Sequence, residues 1–560
     1  MTDRGPAQDD AALRDDAALL GALAAAEPVG PRPLGGLLER LAAAGRIRGE
    51  VAPDARTCAV HGIVYDSRRV VPGSVFVAVP GAHADGHAFV GQAVARGAVV
   101  VVVEHAVEDA GAAIQLVVDR SQLALAVAAA WWHDDPGRQL GVIGVTGTDG
   151  KTTTAGMAVA ALEAAGVRTG LVSTAEQKVG PHRASTPAHV TTPEAPELQR
   201  ALRAMVRAGD AAAVVESTSH GLALERVGEI PYDVAVLTNL THEHLEFHGT
   251  FEAYRAAKRS LFERLAVAAG PPSKPASLPG GRPWPRGGIV NLDDPSADVF
   301  VAATRAAGAT VLTYGTGSGA DVRATAVDET PGGIRARVIT PRGAVAVTLP
   351  LLGRFNVHNA LAVVALGELL GLDPEAVRGG LAGFRGVRGR MERLDRGQPF
   401  LVVVDYAHTP AALATALDAL APLAGPGGGL IAVFGSAGER DVAKRAIQGR
   451  VAGERCRLVI ATDEDPRGED PGAILEQIAE GAEAAGRRRG EDLLLVADRE
   501  AAIRVAFARA RPGDVVLLAG KGHERGILYA DRELAWNERA VAERLLAERG
   551  FAGWSGPEPS

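Results

Sequence analysis

The stretch GVTGTDGKTTT, residues 144–154, constrains the fold more than any other. It continues an apolar run, Leu140, Val142, Ile143 and Val145, that reads as a buried strand. It leads into alanine-rich sequence in which Ala155, Val159 and Leu162 fall at i, i+4 and i+7, a helical spacing. Strand, glycine loop and helix in that order can cradle a phosphate chain. The glycines let backbone N–H groups approach it, and the helix N-terminus adds partial positive charge. Lys151 can reach β/γ-phosphates, and the Thr152 hydroxyl can hold Mg²⁺. The pattern is not a strict Walker A, which wants a glycine where Val145 stands; Gly144 and Gly147 flank that position instead. A glycine-rich turn without a ligand is the alternative, and Gly-Lys-Thr-Thr in this context argues against it.

At 560 residues the chain has room for three or four domains of roughly 150 residues each. A net charge of −8 gives no support to a general nucleic-acid binder. Two cysteines far apart in sequence, Cys58 and Cys456, make no disulfide framework and suit a reducing cytoplasm. The longest apolar run, 123–132, is too short to span a membrane and reads as a buried helix. The acidic, alanine-rich start lacks the basic opening and cleavage pattern of a signal peptide and reads as a frayed helix or a disordered lead-in.

Strand-like segments at 62–65, 74–79, 98–103 and 115–118 mark a first domain ending near Asp134-Asp135-Pro136-Gly137. The phosphate loop opens a second, with strands at 212–215, 234–237, 288–291 and 310–314. The Pro/Gly run 270–288 within it reads as a surface loop insertion. From Gly386 a new βα series begins, with strands at 401–404, 430–434, 458–461, 493–496 and 515–518. Alternation of this kind predicts α/β domains built on parallel sheets covered on both faces. The expected division is a variable lead-in at 1–50, a first α/β domain at 51–137, a central ATP-binding domain at 138–386, a C-terminal Rossmann-like domain at 387–552 and a tail at 553–560.

Two further clusters carry chemistry. An apolar strand ends at Glu216 and runs into Ser217, Thr218, Ser219 and His220. A carboxylate at the C-terminal end of a central parallel strand faces the site mouth, where it can hold Mg²⁺ beside Thr152. Residues 238–262 are dense in His and Glu: His242, Glu243, His244, Glu246 and His248. His244 and His248 have the spacing of a zincin helix, but Leu245 stands where that motif needs its glutamate, so magnesium fits better than zinc. Lys258 follows on a predicted helix.

At this point the chain resembles the Mur ligases, the ATP-dependent enzymes that extend the peptidoglycan precursor peptide, and most of all the branch that adds the third amino acid. The resemblance covers about residues 55–550. YDSRRVVPGSVFVAVPGAHADGH (65–87) is similar to the family's uridine-binding signature, and TGTDGKT to its ATP loop. HVTTPE, ESTSHGL and THEHLEFHG are similar to middle-domain motifs. GRFNVHNALA (353–362) resembles the segment whose asparagines approach the adenine. GRMERL, DYAHTP, GERDVAKR, DEDPR and AGKGHE resemble motifs of the C-terminal ligand domain.

The resemblance implies roles position by position. Thr146, Gly147, Thr148, Asp149, Gly150, Lys151, Thr152, Asn356, Asn359 and Arg390 would bind ATP. Tyr65, Ser67, Ala82, His83, Ala84, Thr191, Thr192, Thr218 and Arg226 would contact the UDP-muramoyl dipeptide. Lys258 would be a CO₂-derived carbamate (N6-carboxylysine) and, with Thr152, Glu216 and His244, would hold two Mg²⁺ ions. Arg440, Glu464, Asp465, Pro466, Arg467, Gly520 and Glu524 would form the pocket for the incoming amino acid. Lys151, Glu216, His244 and Lys258 would be catalytic. The sequence departs from the family pattern in three places. The usual acid-His-Leu-acid reads Glu243-His244-Leu245-Glu246. Leu224 replaces a polar contact of some relatives. The Asp-Asn-Pro-Arg of diaminopimelate-adding members reads Glu464-Asp465-Pro466-Arg467.

The expected activity is therefore ATP-dependent amide ligation of a diamino acid (meso-diaminopimelate, L-lysine or L-ornithine) to the UDP-muramoyl dipeptide through an acyl phosphate. The expected setting is the cytoplasm, as a monomer, with no nucleic acid or membrane partner. A folylpolyglutamate synthase shares the middle and C-terminal plan but starts near its phosphate loop, and over a hundred residues precede Gly144 here. A degenerate ligase kept as a binding module is opposed by the intact Lys151, Thr152, Glu216, His244 and Lys258.

Overall fold

The computed structural model describes residues 6–81, 84–186, 191–241, 243–266, 274–330 and 332–551. A parallel four-stranded sheet comes first: β1 (Gly62–Val64), β2 (Ser74–Val77), β3 (Val100–Val103) and β4 (Ile114–Val117), in that order. Val75, Val77, Val100 and Val102 face one core, Phe76, Val101 and Val103 the other, so near-continuous apolar strands are the pattern this burial demands.

Residues 6–50 hold helices α1 (Pro6–Ala25) and α2 (Gly35–Ala43). Leu34, Leu37, Leu38 and Leu41 pack into the core of the first sheet, while Leu19 and Ala26 join the core of the central one. The long apolar run is helix α3 (Ser121–Trp132). Its Leu125, Val127 and Trp131 face the first sheet, and Ala126 and Ala129 meet Ala195 on the other side. An all-round apolar helix has buried both faces.

The central sheet is built on β5 (Gly141–Thr146), β6 (Thr169–Val172), β7 (Glu176–Val179), β8 (His182–Ser185), β9 (Ala212–Glu216), β10 (Val234–Leu237), β11 (Gly287–Asn291) and β12 (Thr310–Gly315). The spatial order is β8-β7-β6-β9-β5-β10-β11-β12. The strands from β6 to β12 are parallel, and β7 and β8 add an antiparallel hairpin at the edge. The phosphate-loop strand β5 is thus central, between β9 and β10. Helices α4 (Lys151–Ala164), α5 (Ala195–Ala208), α6 (Ser219–Ala223), α7 (Leu245–His248) and α8 (Phe251–Glu263) follow or bridge these strands. Helix α9 (Asn356–Leu369) comes later in the chain.

Beyond residue 273 much of the Pro/Gly run is exposed, as a surface loop would be, with anchors at Lys274 and Trp284. Residues 267–273 lie outside the described residues. Beyond them, the Lys274 ammonium lies 2.5 Å from Asp233 Oδ2, which also accepts from Val142 N at 2.7 Å. Trp284 covers Gly141 so closely that a Cβ there would meet its ring at 2.0 Å. Composition announced the breaks in regular structure; Asp233 and Gly141, distant in sequence, supply the anchors.

The chain divides into two compact units. The first holds both sheets above and residues 338–345 and 358–381; the second holds 326–337, 346–357 and the chain from Ala382. The second contains β13 (Glu392–Leu394), β14 (Leu401–Asp405), β15 (Leu430–Phe434), β16 (Leu458–Ala461), β17 (Leu493–Leu495) and β18 (Val515–Ala519). Their order is β13-β14-β18-β15-β16-β17, parallel except for β13. Helices Pro410–Leu420 and Pro471–Ala484 cover one face and Arg499–Arg509 and Glu538–Glu548 the other. The expected three-domain α/β plan is present as three successive sheets.

Candidate active site

In the first unit the loop after β5 turns back on itself at two glycines. Gly147 has φ +148°, and a Cβ there would lie 1.9 Å from Thr238 Oγ1. Gly150 has φ +78°, and a Cβ there would lie 2.4 Å from Asn359 Oδ1. Both positions therefore require glycine. No side chain caps α4 at Gly150, so its first-turn N–H groups suit an anion. Residues 238–241 brace the loop. Thr238 Oγ1 donates to Asp149 O at 2.6 Å, and Asp149 N to Asn239 Oδ1 at 2.9 Å. Thr148 N donates to Asn239 O at 2.8 Å. Thr146 is buried at the strand end. Asn359, on α9, accepts from Thr154 Oγ1 at 3.2 Å.

Lys151 Nζ donates to Thr148 O at 2.6 Å, folded over the loop. Thr152 Oγ1 is 3.1 Å from each oxygen of Glu216, whose side chain is almost fully buried. Parallel pairing sets Glu216 opposite Val145, one residue before the loop begins to turn, which is why the carboxylate reaches Thr152. Among the described residues Glu216 has hydroxyl and amide donors and no ion-pair partner. A buried carboxylate in that condition suits a cation.

Lys258, on α8, is also almost fully buried. Its Nζ donates to Gly147 O at 2.6 Å and sits 4.6 Å from the centre of the Tyr254 ring. Burial, reinforced by Lys151, holds its ammonium well below the usual lysine range. His244 has φ +56° and a half-exposed side chain. Its ring lies 4.7 Å from that of His220 and near Glu243 and Glu246. Burial and then His244 push His220 down to about 4. His242 lies outside the described residues.

The residues read as substrate contacts form two groups. Thr192 Oγ1 donates to Glu216 O at 2.8 Å and lies 3.0 Å from Thr218 Oγ1; Thr218 caps α6. Arg226 donates to Thr192 O and pairs with Glu194 at 2.7 Å. Thr191 Oγ1 accepts from Thr174 Oγ1 at 2.8 Å. In the first sheet, Ser67 Oγ donates to Gln92 Oε1 at 2.6 Å. Tyr65 lines a cavity of about 160 Å³ with Asp66, Arg69, His133, Glu197 and Arg200, and burial followed by Glu197 raises its phenol. Ala84 O accepts from Gly81 N; Ala82 and His83 lie outside the described residues.

The second unit gathers the residues read as the amino-acid pocket at the C-terminal ends of β16 and β18. Glu464 is fully buried with Oε2 unpartnered, facing Gly520 at 2.8 Å from where a Cβ would stand. Burial raises its carboxyl, against the pull of Lys444. Asp465 Oδ1 accepts from Lys521 Nζ at 2.8 Å and Leu528 N at 3.0 Å. Lys521 also pairs with Glu524 at 2.6 Å. Arg467 has φ +55° and no partner for its side chain among the described residues, its Nε buried. Among the described residues Arg467 pairs with neither Glu464 nor Asp465, and Asp465 is held by Lys521. Pro466 O accepts from Glu469 N, and Arg440 is exposed. Arg390 lies 4.7 Å over the Tyr406 ring, and Asn356 Nδ2 donates to Leu352 O.

Thr174, Asn239 and Lys521 were not singled out by sequence. Thr174 lies outside the motifs that guided that reading, and Asn239 lies in the 238–262 cluster, which was read for its His and Glu. Lys521 stood in AGKGHE, where the lysine itself was passed over.

Comparison with known proteins agrees with these motifs. Residues 145–367 match a model of the Mur ligase middle domain, 389–522 one of the Mur ligase glutamate ligase domain, and 59–131 one of the Mur ligase family catalytic domain. The UDP-N-acetylmuramyl-tripeptide synthetase of Roseiflexus sp. (strain RS-1) is 49% identical over 499 residues, 88% of this chain and 96% of the relative. The UDP-N-acetylmuramoyl-L-alanyl-D-glutamate--2,6-diaminopimelate ligase of Solibacter usitatus (strain Ellin6076) is 40% identical over 90% of this chain and 96% of its own length. A solved structure of a ligase of that same name aligns with TM-score 0.63 and 29% identity, covering 90% of this chain and 98% of its own. Among the described residues no helix is long and apolar enough to cross a membrane.

Proposed function

Because this chain belongs to the Mur ligase family, we propose that it joins a diamino acid to UDP-N-acetylmuramoyl-L-alanyl-D-glutamate at the expense of ATP, in the cytoplasm. A carboxylate resists attack by an amine because oxide is a poor leaving group. Transfer of the γ-phosphoryl group to a carboxylate oxygen yields an acyl phosphate and ADP. The amine then attacks the acyl carbon, the C–N bond forms, the C–O bond to phosphate breaks, and the amine sheds a proton.

Lys151 would lie along the β/γ-phosphates and offset the charge that gathers on the transferring group. Thr152 and Glu216 would hold one Mg²⁺ through hard oxygen donors, a set that fits the unpaired buried carboxylate. His244 and Lys258 would serve a second ion. Bound Mg²⁺ supplies neutralisation of phosphoryl charge. Burial, reinforced by Lys151, disfavours the charged form of Lys258. Its nitrogen can add to the carbon of CO₂ and release a proton, turning a cation into an anionic carbamate beside the loop.

The second unit favours a diamino acid with a distal carboxylate, meso-diaminopimelate. Among the described residues Arg467 is a cation without a side-chain partner, and Lys521 offsets the charge of Asp465. The observation that carries the whole reading is the Thr152–Glu216 pair behind the Lys151 loop. The test is phosphate release with UDP-muramoyl dipeptide and a panel of amino acids. Release should require both substrates and be fastest with meso-diaminopimelate. Release without the muramoyl peptide, or no tripeptide product by mass spectrometry, would overturn the reading.

A further inference from the structure

One hydroxyl proton in the first unit faces two acceptors. Thr174 Oγ1 lies 3.0 Å from Glu216 Oε1 and 2.8 Å from Thr191 Oγ1. Its backbone N–H separately donates to Glu216 Oε2 at 2.9 Å. The amide bond is fixed, but a threonine hydroxyl carries a single proton and can donate to one oxygen at a time. Thr174 follows β6, which pairs with β9, so the fold itself brings it beside the end of the Glu216 strand. It is half-buried, as is Thr191, and neither is part of the phosphate loop.

We infer that Thr174 is a positioning residue that couples cation binding at Glu216 to muramoyl-substrate binding at Thr191, which rests on the roles proposed above for those two residues. With no cation present, the charged carboxylate is the stronger acceptor and holds the Thr174 proton. A cation on Glu216 draws on the same lone pairs and turns the Thr174 hydroxyl toward Thr191. Thr191 then accepts, and its own proton is released to donate to an anionic or carbonyl oxygen of the substrate. The two ligands thereby favour the same hydroxyl orientation. Coupling of this kind is reciprocal: whatever factor the cation adds to substrate affinity, the substrate adds to cation affinity.

Calorimetry of UDP-muramoyl dipeptide binding, with and without Mg²⁺ and without nucleotide, tests this. Three proteins are compared: wild type, Thr174→Val and Thr174→Ser. Valine keeps the shape and the backbone N–H and removes only the hydroxyl. Mg²⁺ should tighten wild-type binding about ten-fold. Thr174→Val should lose most of that gain, and Thr174→Ser should keep it. Titration of Mg²⁺ with and without the dipeptide should return the same factor. An equal Mg²⁺ effect in wild type and Thr174→Val, or none in wild type, overturns the coupling. Failure of wild type to bind the dipeptide under any condition is a different result and overturns the proposed function itself.

Discussion

Lys521 sets its ammonium 2.8 Å from the Asp465 carboxylate, with both side chains almost wholly removed from water. That pairing decides how the charges of the second unit are read. Counted from sequence, Glu464 and Asp465 are two adjacent acids that would draw a cation and occupy Arg467. In three dimensions Lys521 engages Asp465 and Glu524 together, burial raises the Glu464 carboxyl, and Arg467 has no side-chain partner among the described residues.

Lys151→Ala should lower turnover by ~10³-fold or more, as removal of a charge clamp does elsewhere. Among the described residues the ammonium's hydrogen bond is to the loop carbonyl of Thr148, so folding should be unaffected. Steady-state phosphate release beside a circular dichroism melt checks both halves. Near-normal ligation by a folded variant would sink the role given to this lysine.

Lys258→Ala should be close to inactive, and acetate should partly restore it by supplying the missing carboxylate. The prediction follows from a buried amine held below its usual range and close to the Gly147 carbonyl of the phosphate loop. Carbon-13 NMR of protein equilibrated with labelled CO₂ should show one protected carbamate signal that Lys258→Ala lacks. A high-resolution map of the magnesium-bound, CO₂-equilibrated protein with an unmodified ammonium there would rule the carbamate out.

Much of this architecture was legible in the sequence. The strand–loop–helix at 144–154 could be read because its chemistry sits on contiguous residues, and Glu216 because a strand end in a parallel sheet has one place to point. Thr174 could not be read. Its value comes from β6 lying beside β9, a pairing no local pattern encodes. Lys521 stood within a recognised motif, but its partner Asp465 lies on a different strand end. In 274–286 the exposed loop was legible but its anchors were not: Pro and Gly mark where helices and strands stop, whereas the contacts of Lys274 and Trp284 depend on Asp233 and Gly141. Likewise α1 has no apolar stripe to announce a core role, yet Leu19 on it and Ala26 just beyond it find one.

His133 gives a pH dependence to stability. It is 3% exposed, its Nδ1 has no partner, and burial followed by Arg200 and Arg32 pushes it down to about 3 from an ordinary 6.5. Between those values the unfolded chain binds a proton that the folded chain refuses, so stability falls as pH drops from 6.5 toward 3 and is flat below. The full difference is worth up to roughly 5 kcal/mol, about 2 of it by pH 5. His133→Phe should remove that slope while leaving the neutral-pH midpoint within about 1 kcal/mol. Urea denaturation at pH 7 and pH 5 measures it. Equal losses in both proteins on acidification would assign the acid sensitivity to other groups.

Arg467→Ala tests the amino-acid assignment most directly. A guanidinium without a protein partner, partly enclosed, can form a two-bond pair with a substrate carboxylate, and such charge-assisted pairs are about twice as strong as neutral ones. Losing it should cut kcat/KM for meso-diaminopimelate by about 10²-fold. L-Lysine, which has no distal carboxylate, should lose far less, so the preference between the two should narrow. Asp465→Asn makes the converse case. It leaves Lys521 balanced by Glu524 alone and raises the local positive charge, so diaminopimelate should be used as well as before and L-lysine no better. Competition assays with both amino acids in one mixture read the ratio directly. If wild type prefers L-lysine or L-ornithine, and Arg467→Ala leaves that preference unchanged, then Arg467 does not face the substrate and the distal-carboxylate assignment is wrong.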